Sequence, residues 1–287
     1  MSAARTLEGL MRDGANALSQ SKSPWLDARV LASHAIGLSE AELIAQANAP
    51  VDPEKVRLFR ALIDRRREGE PVAYLTGVKE FWGLPFAVGP GVLIPRPDSE
   101  CLIEALITAG PARYARVLDL GVGSGALLAA LLSELREATG VGVDRSQDAA
   151  RQARCNLDKL GLRDRAEIIV GDWTAPLSGR FDVIVANAPY IPEGDRADLE
   201  IDVSRFEPSA ALFAGADGLA AYRALIPELP RVAGPESLIT LEYGTGAQRA
   251  PLESLAAAAF PNGRLTLIRD LSGRERGLLL DNRAKRD

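Results

Sequence analysis

The chain has one histidine, His34, among its 287 residues. A serine nucleophile with a histidine base, or a histidine-rich metal centre, therefore has almost nothing to be built from. Cysteine is nearly absent as well. Only Cys101 and Cys155 occur, with no Cys-x-x-Cys spacing, which argues against a disulfide scaffold and a zinc site. Long apolar runs are missing, and the longest, Ala126 to Leu132, is far too short to cross a bilayer. The first 20 residues carry Arg5, Arg12 and Asp13 around no apolar core, unlike a secretory signal, so a cytoplasmic protein is expected. Aromatics make up only 5%, and the formal net charge is -5. That balance argues against tight binding to bare nucleic acid, which usually needs a basic face.

What is present is ordinary globular composition, 47% hydrophobic and 25% charged, long enough for one or two domains with a sizeable core. Residues 1–70 read as helical. Leu7, Leu10 and Met11 share a face. Ser21 or Ser23 is placed to cap a helix opening at Pro24, and Ser39 with Glu42 has capping-box spacing. Asp52-Pro53 opens a helix that ends in Arg65, Arg66 and Arg67, most simply a solvated, dipole-matched terminus. His34 falls in a helical stretch among Ala32, Ala35 and Ile36 and reads as a partly buried helix residue rather than a catalytic one.

From residue 71 to 95 the texture changes. Tyr74 to Gly77, Phe81 to Phe86 and Val92 to Pro95 alternate apolar runs with glycine and proline, which suggests short strands and a β-hairpin linker. Residues 96–287 then alternate strands and helices. Val117 to Leu120, Gly140 to Asp144, Glu167 to Val170 and Phe181 to Ala186 are four strand-like runs separated by helical ones. This repetition predicts an α/β, doubly wound, mostly parallel sheet. Leu265 to Ile268 and Gly277 to Leu280 add a C-terminal antiparallel hairpin.

The strand Phe181 to Ala186 stops at Asn187-Ala188-Pro189-Tyr190. Ligands bind beyond the carboxyl ends of strands in open α/β sheets, so Asn187 is expected at the site's edge with Tyr190 close behind. A side-chain amide both donates and accepts, which suits it to gripping another planar amide or amine.

Asp119-Leu120-Gly121-Val122-Gly123-Ser124-Gly125 follows the first strand of this region and leads into a helix, where glycines let the backbone approach a ligand. Asp144 ends the next strand, 19 residues beyond Gly125, where a carboxylate can accept from a ribose diol. Asp172-Trp173 follows the third strand, an acid and a flat ring able to bracket an adenine. Gly121, Gly123 and Ala126 also satisfy a relaxed dinucleotide pattern, leaving a nicotinamide cofactor open. Three features favour S-adenosylmethionine: the close G-x-G-x-G packing, Asp119 just before it, where a cation is welcome and a pyrophosphate is not, and Asp172-Trp173.

The sequence resembles the release-factor glutamine methyltransferases of HemK/PrmC type over nearly its whole length. The resemblance rests on Pro71 to Gly77, Glu80-Phe81-Trp82-Gly83, Leu93-Ile94-Pro95-Arg96-Pro97-Asp98-Ser99-Glu100, the glycine loop, Gly171-Asp172-Trp173 and the Asn187 turn. It implies a Rossmann-like class I domain that uses S-adenosylmethionine, preceded by a small helical domain that recognises the substrate. It also implies methylation of the glutamine amide nitrogen in the Gly-Gly-Gln loop of a peptide-chain release factor, a step in translation termination. By that likeness Gly121, Gly123 and Gly125 shape the cofactor loop, Asp144 holds the ribose, and Asp119, Asp172, Trp173 and Asn187 adjoin the cofactor. Asn187, Ala188, Pro189 and Tyr190 form the substrate corner, with Asn187 and Tyr190 catalytic. The family usually has Asn-Pro-Pro-Tyr there. Ala188 keeps the backbone carbonyl but adds an N–H and frees φ. Rival readings are amino methylation of adenine or guanine in nucleic acid, and a non-catalytic relative.

Overall fold

The structure, a computed structural model, describes residues 6–113 and 115–283. It divides into two compact units. One comprises residues up to Val78 together with Glu200–Phe206, and the other Lys79–Leu199 with Glu207 onward.

The first unit is helical: α1 (Leu7–Ala17), α2 (Pro24–Ile36), α3 (Glu40–Ala45), α4 (Pro53–Arg67) and α5 (Val72–Thr76). Leu10, Leu31, Leu43, Phe59 and Leu62 form its buried core. The Ser39–Glu42 capping box is present at α3, and Asp52 accepts the Glu54 N–H at α4. Ser23 sits at the N-cap of α2, but its hydroxyl turns to Asp27 instead of the backbone. His34 is exposed on α2 rather than partly buried.

Two larger expectations for this unit also fail. Arg66 is no solvated helix end. Its guanidinium is largely covered and meets Asp27 at 2.9 Å and Asp202 at 3.4 Å, which ties α2, α4 and the turn Ile201–Phe206 together. Tyr74 to Thr76 form helix α5, not a strand. Pro71 opens it and Gly77, at φ 74°, stops it, while Tyr74 and Leu75 are buried.

β1 (Val78–Phe81), all but its first residue in the second unit, and β2 (Leu84–Ala87) form the expected hairpin. Its turn uses Trp82 and Gly83, both at positive φ, as a two-residue hairpin of this hand requires. Val92 to Pro95 is not a strand. Its Ile94 N–H donates to the Glu207 carboxylate at 3.0 Å instead of to a ladder.

The main sheet follows, with α6 (Glu100–Ala109), β3 (Arg116–Leu120), α7 (Ala126–Glu134), β4 (Thr139–Asp144), α8 (Gln147–Lys159), β5 (Ala166–Val170), β6 (Phe181–Ala186), β7 (Ala233–Glu242), β8 (Arg264–Arg269) and β9 (Glu275–Asp281). Strand order is β5-β4-β3-β6-β7-β9-β8. The first five strands are parallel, and β9 runs antiparallel to both β7 and β8. The order reverses between β3 and β6, so a crevice opens there at the strands' carboxyl ends. Leu118, Ile184, Ile239 and Leu280 fill the core beneath it. The helix before β8 starts at Gly246, where Thr245 and Gln248 make a capping box. Among the described residues no helix is long and apolar enough to cross a membrane.

Candidate active site

The loop after β3 is shaped by its glycines. Gly121, Gly123 and Gly125 have φ of 83°, 54° and 84°, the left-handed region that costs a side-chain-bearing residue energy. The N–H groups of Gly121 and Val122 both donate to the Val143 carbonyl, at 2.9 and 3.0 Å, which fixes the loop to β4. At Gly125 a Cβ would stand 3.3 Å from the Cα and Cβ of Ala153, so α8 can pack closely there. Asn156 of α8, 1% exposed, donates to the Ser124 and Ala87 carbonyls and accepts the Ala87 N–H. It pins the loop to the hairpin.

Asp144 closes the other side. Its two carboxylate oxygens accept N–H groups from Gly123, at 2.9 Å, and Ser146, at 2.8 Å. Asp119 lies fully buried behind the loop. One oxygen accepts the Leu128 N–H at 3.1 Å, and the other has no hydrogen-bond partner. Burial pushes this carboxyl up to about 7, against the pull of the Leu128 N–H, with the charge of Asp144 adding to the rise. Trp173 sits at φ 42°, a strained backbone that its surroundings impose and that turns attention to this position.

β6 delivers Asn187 half-buried at its carboxyl end. The Asn187 Nδ2 donates to the Ser99 hydroxyl at 3.1 Å. Ala188 is buried, 1% exposed. The Tyr190 hydroxyl donates to Glu242 Oε1 at 3.1 Å, and its carbonyl accepts from Gln248 Nε2 at 2.7 Å. Burial and the Glu242 charge raise the Tyr190 phenol well above its usual 10. Glu242 itself is buried and pushed up to about 7 by desolvation, held back by the hydroxyls of Ser99 and Tyr190.

A cleft of about 470 Å³ unites these parts, within the range typical of small-molecule sites. Gly121, Gly123, Asp144, Asp172, Trp173, Asn187 and Pro189 all line it. Asp119, Gly125, Ala188 and Tyr190 are not among its lining residues, and the contacts above place them behind the wall. The cleft is also lined by small residues, including Ala210, Ala211, Gly215, Ala220 and Ala224, together with Phe213. Sequence reasoning did not place these residues in the site. It also missed Ser99, Asn156, Glu207 and Glu242. A carboxylate closing the mostly apolar run Leu238-Ile239-Thr240-Leu241 was the available signal for Glu242. Among the described residues no cluster of histidine, cysteine or acidic side chains is arranged to hold a metal ion.

Two family models match the chain: a PrmC N-terminal domain over residues 9–77 and a methyltransferase domain over residues 113–259. The release factor glutamine methyltransferase of Rhodospirillum rubrum is 42% identical over 263 residues, 92% of this chain and 80% of that one. The Escherichia coli K12 protein of the same name is 37% identical over 267 residues, 93% and 95% of the two chains. Among solved structures, the Thermus thermophilus 16S rRNA N2 G1207 methyltransferase in complex with AdoMet and guanosine superposes with TM-score 0.54 at 22% identity. The match covers 72% of this chain and 50% of that one, a likeness of fold.

Proposed function

The chain belongs to the release factor glutamine methyltransferase family, and on that premise we propose that it methylates the glutamine side-chain amide nitrogen (N5) in the Gly-Gly-Gln loop of a peptide-chain release factor. It is an S-adenosylmethionine-dependent methyltransferase. The cleft's residues fit that cofactor. Glycines leave the loop backbone open, Asp144 has lone pairs left for a ribose diol, and Asp172 with Trp173 offers an acid and a flat face. Asp119, with one oxygen unpartnered, sets a carboxyl directly behind the loop. When bound, the cofactor supplies a methyl group already made electrophilic by its sulfonium.

The chain's own task is alignment, because an amide nitrogen is a poor nucleophile with a delocalised lone pair. Asn187 Oδ1, at the cleft wall, accepts an N–H group of the substrate amide and holds its nitrogen toward the methyl. Such positioning supplies up to roughly 7–11 kcal/mol. The proton released goes to water, so the scarcity of histidine is no obstacle. Tyr190 acts from behind, stiffening the corner through Glu242. The helical unit serves to recognise the release factor, and a cytoplasmic site of action follows from that substrate.

The observation that carries this reading is that Asn187 lines the same cleft as Gly121 and Gly123. Mass spectrometry of the Gly-Gly-Gln peptide, after incubating release factor with protein and cofactor, tests it. One added methyl on the glutamine, lost in Asn187→Ala, is expected. An unmodified peptide with methyl transfer to RNA or DNA overturns it.

A further inference from the structure

Asn187 can grip an amide –NH2 only if its oxygen, not its nitrogen, faces the cleft. The two ends of an asparagine amide are similar in size and opposite in hydrogen-bonding sense. Something must therefore decide between two orientations half a turn apart. The turn Pro97–Ser99, which opens α6, carries a hydroxyl to the back of this side chain. Ser99 is 2% exposed, and its N–H is already committed to the Arg96 carbonyl at 3.0 Å.

A hydroxyl alone does not choose, since it both donates and accepts. Glu242 chooses for it. β6 and β7 run side by side, with Ala186 opposite Leu241, so Asn187 and Glu242 leave the sheet together. The Glu242 carboxylate lies against both the Ser99 and Tyr190 hydroxyls. Above about pH 7 Glu242 is ionised and only accepts, so it draws the Ser99 proton to itself. The Ser99 lone pair is left for Asn187, which must present Nδ2 to it at 3.1 Å. Oδ1 is then turned outward.

We propose that Ser99 is a positioning residue that fixes which end of the Asn187 amide faces the cleft, with Glu242 as the acceptor that sets its polarity. This rests on the reading of Asn187 as the side chain that accepts from the substrate amide. Ser99 does not touch the substrate and acts wholly through Asn187.

The test measures methylation kinetics on a release factor and, separately, S-adenosylmethionine affinity by calorimetry. In Ser99→Ala, kcat is expected to fall by about 10- to 100-fold, the scale of a lost alignment, with cofactor affinity unchanged. Ser99→Thr keeps the hydroxyl and should stay within a few-fold of the parent, whereas Ser99→Val, of nearly the same shape, should match Ser99→Ala. The Thr and Val pair carries the comparison if the Ala variant does not fold. In an Asn187→Ala background, Ser99→Ala should cost nothing further, because the two act as one unit. Equal rates for Thr and Val, a parental kcat for Ser99→Ala, or multiplying effects of Ser99 and Asn187 substitutions overturn the proposal. If Asn187→Ala itself keeps full activity, the reading of the site fails. If only the Ser99 variants do, that reading stands and Ser99 has no positioning role.

Discussion

A Cβ placed on Gly121 would stand 3.7 Å from the carbonyl oxygen of Asn187 and 3.8 Å from Cζ3 of Trp173. The end of β6, the glycine loop and the indole therefore converge on one point. A methyl group there meets no clash with the protein but takes space from whatever the cleft holds. It also forces a side-chain-bearing residue to φ 83°. Gly121→Ala is expected to weaken S-adenosylmethionine binding at least tenfold, of which about 1–2 kcal/mol is backbone strain. Calorimetry on the folded variant measures it, and an unchanged affinity would place the cofactor elsewhere.

Two buried carboxyls make stability depend on pH in an unusual sense. Burial raises Glu242 from 4.5 to about 7 and Asp119 from 3.8 to about 7. A raised folded-state pKa means the folded chain binds the proton more tightly than the unfolded chain between those values. Stability therefore falls as pH rises from about 4 to 7, then levels off. At about 1.4 kcal/mol for each pH unit, the loss is on the order of 3 kcal/mol per group. Glu242→Gln should flatten roughly half of the slope in urea titrations run between these limits. A slope identical to the parent's would mean that Glu242 does not titrate in this window.

The sheet was legible because its strands are short apolar runs, several of them rich in Val and Ile, most ended by a glycine, an acid or Asn187, and the segments between them read as helices. The glycine loop and Asp144 were legible because cofactor chemistry packs them into one β-α-β stretch. The support behind Asn187 was not, since Ser99, Glu207 and Glu242 come from distant segments that only the folded sheet brings together. The linker misled for a related reason. Val92 to Ile94 has strand-like composition, but its Ile94 N–H finds a carboxylate where a ladder was expected. Tyr74 and Leu75 also have strand-like composition, yet burial and the flanking Pro71 and Gly77 make them helical.

Arg66 offers a test of what holds the helical unit together. Its partner Asp27, 5% exposed, also accepts from the hydroxyls of Ser21 and Ser23, at 2.7 and 3.0 Å. Removing the arginine leaves a buried carboxylate without its countercharge, which typically costs about 3–5 kcal/mol. Arg66→Met should speed amide hydrogen exchange across α2 and α4 accordingly, and adding Asp27→Asn should recover part of the loss. Parental exchange rates in the single variant would show the pair to be of no structural consequence.

Ala188, which stands where the family resemblance implies a proline, has an N–H that a proline would lack, at a position almost fully buried. The Tyr222 hydroxyl lies close to that N–H. The same hydroxyl donates to the Glu242 carbonyl and lies 3.5 Å from the Ala186 carbonyl. One phenol thus bridges both sides of the Asn187 corner and supplies the stiffness that a proline ring would give by fixing φ. Tyr222→Phe leaves a buried N–H and a carbonyl unpaired, costing about 1–3 kcal/mol of stability, and should lower kcat as the corner loosens. Adding Ala188→Pro removes the orphaned donor and restores the fixed φ, so the double variant should regain much of the rate. Methyl-transfer kinetics on the two variants decide it: a double variant no faster than Tyr222→Phe would mean that Tyr222 acts on the corner by some route other than Ala188.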